Sequence, residues 1–92
     1  MRDRVEITDA EALFGPGLRA FWFTSADEGC AGCEVFQRGD ESAGPVCRVT
    51  FWDAVGQYFV ELPKGELKAE TLLRIVTKTV ERVGVPLTEL AR

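Results

Sequence analysis

Apolar and polar residues alternate along three stretches of the chain and recur at helical spacing along a fourth. The alternation is moderate over residues 33–38 and strong over 46–52 and 57–62, which predicts strands whose side chains change face at every residue. A further strand is expected at Leu18-Arg19-Ala20-Phe21-Trp22-Phe23-Thr24, between the breaker Gly15-Pro16-Gly17 and the turn-forming Ser25-Ala26-Asp27. Residues 39–45 and 53–56 are too short for a parallel crossover, so the strands should run antiparallel as a meander of three to four.

Helices are expected at both ends. Thr8-Asp9-Ala10-Glu11 has the spacing of a capping box and predicts a short helix through Leu13 and Phe14. Residues 66–83 form a long one. Ala69, Leu72, Leu73, Val76, Val80 and Val83 fall on one stripe, and Gly84 and Pro86 supply the stop. Residues 87–91 could add one turn. The chain therefore reads as one α+β domain over residues 1–92, in the order αββββα, with the long C-terminal helix packed on one face of the sheet. That order is similar to the double-stranded-RNA-binding domain. Glu66 and Glu70, however, stand at the start of the last helix, where that family needs lysines, so nothing of its function carries over.

The balance of 46% hydrophobic and 28% charged residues is that of an ordinary globular chain. Its net charge of −4 disfavours direct binding to nucleic acid or an anionic membrane and favours a basic partner. The charged start Met1-Arg2-Asp3-Arg4-Val5-Glu6 has no apolar run behind it, and three cysteines are too few and odd in number for a secreted scaffold. A cytoplasmic location is the expectation.

Catalytic chemistry is poorly represented. The chain has no histidine, and its two serines, Ser25 and Ser42, lack a nucleophile's context. Cys30-Ala31-Gly32-Cys33 is the most motif-like stretch. In a turn, that spacing can present two thiolates to a metal or form a redox pair. Glu28 and Glu34 flank it, and only Cys47 remains as a further soft ligand. Pairing Arg38 near Val46 places Cys47 opposite Gln37 and Cys33 opposite Phe51, so the third thiol lies roughly 13 Å along the strand from the pair. No cofactor is expected, and a metal or redox site on Cys30 and Cys33 is the alternative reading.

Two other motifs have ordinary explanations. Arg38-Gly39-Asp40 spells an adhesion tripeptide but consists of turn residues. Arg74, Lys78 and Arg82 make a basic stripe that suits the solvated back of a helix.

The sheet carries more information. If Cys47, Val49, Phe51, Tyr58, Val60 and Leu62 face the long helix, Trp52 and Phe59 must point away, with Phe36 beside them. Trp22 is grouped with them, although its strand is apolar on both sides. Aromatics mixed with charge on a second face suggest a protein interface. The expectation is a small acidic protein-binding module, an inhibitor, adaptor or regulatory subunit, that works by occlusion rather than catalysis. Trp52, Phe59, Phe36 and Trp22 would make contact, joined by the acidic loop residues Asp27, Glu28, Asp40 and Glu41. In one version the carboxylates occupy a nucleic-acid-binding groove on the partner. In another the partner is a second copy of the chain.

Overall fold

A computed structural model describes residues 2–87. Its elements follow the order β1 (Arg2–Glu6), α1 (Ala10–Phe14), β2 (Leu18–Ser25), β3 (Cys30–Gln37), a 3-10 turn (Glu41–Ala43), β4 (Cys47–Trp52), β5 (Gln57–Glu61) and α2 (Ala69–Val83). The five strands form one antiparallel sheet in sequence order, with both helices on one face. The α+β class and the meander agree with the sequence reading, and the sheet gains a strand.

That strand, β1, lies on the edge beside β2 with Val5 opposite Trp22. Four of its five residues are charged and all five are exposed, so it shows no apolar alternation to mark it. The turn expected at residues 87–91 falls outside the described residues, save Leu87.

Under the helices lies the core of Ile7, Ala10, Phe14, Leu18, Ala20, Cys33, Val35, Cys47, Val49 and Ile75. α2 packs over β3 and β4, while α1 packs on β2. The stripe on α2 is rotated from the expected one. Ile75 and Thr79 are its buried centre, and Leu73 is 66% exposed. A threonine fits the core here because its hydroxyl donates to the Ile75 carbonyl at 2.7 Å. The helix ends as expected, at left-handed Gly84 (φ 88°), whose N–H donates to Val80 O at 2.9 Å.

The capping box does not form. Asp9 stands at the N-cap without a side-chain bond, and Glu11 Oε2 accepts instead from the Gly17 N–H at 2.8 Å. Glu11 thereby holds the Gly15-Pro16-Gly17 turn that leads into β2.

The β3–β4 register also differs, by two residues: Cys47 lies opposite Val35 and Cys33 opposite Val49. The longer connection absorbs the shift through its 3-10 turn. Because two is an even number, each side chain keeps its expected face. Gly32 marks a tight point in this pairing. An added Cβ would sit 1.9 Å from Val49 O and 3.0 Å from the Phe23 ring.

Candidate functional site: an arginine-roofed sheet face

Opposite the helices, the sheet presents Arg2, Arg4 and Glu6 from β1, and Arg19, Phe21, Phe23 and Ser25 from β2. β3 adds Cys30, Gly32, Glu34 and Phe36. Arg48, Thr50 and Trp52 follow from β4, and Gln57, Phe59 and Glu61 from β5. Among the described residues no helix covers this face, yet much of it is dry.

Glu34 is the hub, its side chain only 6% exposed. Its Oε2 accepts from Arg48 Nε at 2.9 Å and from Arg2 Nη1 at 3.3 Å, and Arg4 Nε lies 3.6 Å from Oε1. A buried carboxylate needs such partners, since an unpaired one would cost several kcal/mol. The same guanidiniums roof the aromatic rings. Arg4 sits 4.0 Å above the Phe21 ring and 5.7 Å from that of Phe36, and Arg2 lies 4.7 Å above Phe23. Phe21 and Phe36 meet edge to face at 5.8 Å. Arg19 approaches Phe21 at 5.1 Å while its fork grips both Glu6 oxygens, at 2.7 and 3.1 Å. That hydrogen bond holds the Glu6 carboxyl below its ordinary pKa.

The roof ends at β3. Trp52 is half-buried and Phe59 is 49% exposed, and among the described residues no guanidinium stacks on either ring. Thr50 faces Phe59 and Trp52 faces Gln57, so the two rings are diagonal neighbours across the β4–β5 pair. Arg48 rims them, its Nη1 donating to Glu61 Oε1 at 3.0 Å. The face thus has a closed half over β1–β3 and a bare half over β4–β5.

The sequence-predicted contact residues divide accordingly. Trp52, Phe59 and Phe36 lie on the face opposite the long helix. Phe36 is buried beneath the roof and offers little surface. Trp22 does not join them. It pairs with Cys33 on the helix side, packs against the core and carries Arg82 at 5.5 Å. The acidic loops separate as well. Asp27 and Glu28 share one end of the sheet with Asp53, where Asp53 N donates to Gly29 O at 2.9 Å. Asp40 and Glu41 lie at the other end, roughly 23 Å away along β3. There, backbone N–H groups of Glu41 and Gly39, with Arg19, hold the Glu41 carboxyl below its ordinary value. A single array of carboxylates is not formed. Missed in the sequence were Arg2, Arg4 and Arg19 as the roof, because the roof depends on β1.

The cysteines give no paired site. Cys30 begins β3 instead of lying in a turn, and residues three apart on a strand face opposite ways. Cys30 points to the roofed face beside Trp52, and Cys33 points to the helix side. Burial pushes the Cys33 thiol up to about 12, with Cys47 adding to the rise, and pushes Cys47 up to about 11. Burial and then Glu28 raise Cys30. All three are free thiols, and among the described residues no group of three His, Cys, Asp or Glu side chains is placed to hold a metal.

The basic stripe on α2 is engaged. Arg74 pairs with Glu70 at 2.9 Å, Lys78 with Glu81 at 3.4 Å, and Arg82 lies over Trp22. A cleft of about 260 Å³ between β1–β3 and the end of α2 is lined by Asp3, Val5, Trp22, Thr24 and Arg82. It is smaller than the roughly 300–1,000 Å³ of ordinary ligand sites. No described helix is long and apolar enough to cross a membrane. No protein-family model, curated protein or solved structure matches the chain.

Proposed function

We propose that this chain is a small protein-binding module that acts by covering part of a partner's surface, with the bare half of the sheet face as its contact. The observation that carries this reading is the contrast between the two halves. Three rings on β2 and β3 lie under arginines, whereas the half-buried Trp52 and the exposed Phe59 carry no stacked guanidinium among the described residues and sit beside the Arg48–Glu61 pair. Large aromatics with a charged rim resemble the anchor of an interface, where a single such residue is worth about 2 kcal/mol or more. Glu28 and Asp53 flank the Trp52 end and favour a partner with basic groups around an apolar site.

The test uses the whole chain as bait in native lysate, beside a Trp52→Ser/Phe59→Ser double variant. The wild type should retain a partner that the double variant loses, and rising salt should weaken the capture. A double variant that captures the same proteins, or that unfolds because both rings are core, would remove the reading's support.

A further inference from the structure

The two edges of the sheet are unlike. On β1, every residue except Val5 is charged, which is how natural sheets guard an edge against pairing. β5 reads Gln57-Tyr58-Phe59-Val60-Glu61, with no lysine, arginine or proline and one acidic residue. Phe59 on one side and Val60 on the other are 49% and 43% exposed, so the apolar surface of this edge wraps both faces.

The sequence of β5 is also complementary to itself. A twofold axis through Phe59 runs the strand antiparallel to its own copy. It sets Gln57 opposite Glu61, Tyr58 opposite Val60 and Phe59 opposite Phe59. Each match is favourable. Gln57 can donate its amide N–H to Glu61 of the copy, and Glu61 has room because Arg48 uses only its Oε1. An aromatic meets a β-branched residue on the helix side, and two phenyl rings meet on the open side. The axis keeps both open faces on the same side, so the two bare halves become one continuous platform.

We infer that β5 is a homodimerisation edge, with two copies joined antiparallel about Phe59 into one ten-stranded sheet. This goes beyond the face-binding reading, since it concerns the edge and holds whether or not another protein binds the face. A five-residue strand buries less than the roughly 1,200 Å² of a standard stable interface, so the dimer should dissociate on dilution through the micromolar range.

Gln57 tests the register because it is exposed and a charge there is tolerated by the fold. Gln57→Lys places a cation opposite Glu61 of the copy, and Gln57→Glu places a second carboxylate there. Two symmetric pairs should tighten the first dimer and weaken the second by about two- to thirtyfold each. Sedimentation equilibrium from micromolar to millimolar concentration reads the constants. Isotope-filtered NOEs in a mixed labelled sample should connect Tyr58 of one copy with Val60 of the other. A monomer at millimolar concentration overturns the inference. So does a dimer whose constant moves the same way, or not at all, with the two Gln57 variants. A dimer that Trp52→Ser abolishes while the fold persists would be joined through the face instead, which also overturns it.

Discussion

Arg48 Nε donates to Glu34 Oε2 at 2.9 Å directly across the β3–β4 pair, and the same guanidinium reaches Glu61 on β5 at 3.0 Å. This arginine ties the roofed half of the open face to the bare half. Its carboxylate partner is nearly dry, whereas Arg48, Arg2 and Arg4 keep side-chain exposures of 30%, 36% and 45%.

Removing the hub should therefore cost less than breaking a fully buried pair. Glu34→Ala leaves three cations without their common anion, but water can reach them. We expect a loss of about 2–3 kcal/mol, below the 3–5 typical of complete burial. Glu34→Gln, which keeps an acceptor, should lose about half as much. Urea titration measures both. A Glu34→Ala variant within about 0.5 kcal/mol of wild type would mean that the roof holds without its anion.

Gly32→Ala probes the tight point of the sheet. The clash with Val49 O involves backbone, which cannot swing aside as a side-chain tip can. We expect about 3 kcal/mol of destabilisation, seen as a melting temperature lower by roughly 12–24 °C. A shift of only a few degrees would show that the strands part there without strain.

Ile75→Ala and Leu73→Ala distinguish the rotated helix face from the expected one. Ile75 is fully buried, so its truncation should cost about 2–5 kcal/mol, while the exposed Leu73 should cost about 0.5 kcal/mol or less. Equal losses would place the helix in the orientation its hydrophobic spacing first suggests.

These positions also show what the sequence could convey. The placement of Trp52 and Phe59 away from the long helix follows from alternation alone, and it survived a register shift because that shift was even. The centre of α2 was misjudged because Thr79 counts as polar until its hydroxyl is seen to bond the Ile75 carbonyl. β1 was illegible for a different reason: an edge strand of four charges and a valine has nothing periodic to read. Without β1, nothing in the charged start of the chain ties Arg2 and Arg4 to a sheet face. Their stacking on Phe21, Phe23 and Phe36 arises only when β1 pairs with the edge of the β2–β3 hairpin. The Cys30–Cys33 spacing misled in the opposite direction. It is a local pattern whose chemistry depends on a turn, and a strand there separates the thiols.

The last prediction concerns those thiols and alkaline pH. Cys33 and Cys47 are buried on the helix side and titrate at about 12 and about 11, against an ordinary value of 9.0. Between the ordinary value and the folded one, the unfolded chain gives up these protons and the folded chain keeps them. The folded state then binds more protons, so stability must fall as pH rises through this window. It is unaffected by these groups below about pH 8, where the thiols are protonated in both states. The limiting slope for a fully shifted thiol is about 1.4 kcal/mol per pH unit. Cys47 should contribute less than Cys33, because its thiol is raised less far above the ordinary value. Tyr58, whose hydroxyl donates to the Val85 carbonyl and whose pKa is raised by burial, adds to the same alkaline loss. The thiol share is isolated by comparing wild type with Cys33→Ala in urea at about pH 8 and about pH 10: the variant should be less stable at the lower pH and lose less between the two. Alkylation supplies an independent readout. Iodoacetamide at about pH 8 should leave Cys33 and Cys47 unmodified in the native chain and label them once urea unfolds it. Native labelling of Cys33 at the rate of a free thiol, or equal alkaline losses in wild type and variant, would contradict the closed helix-side core from which the argument starts.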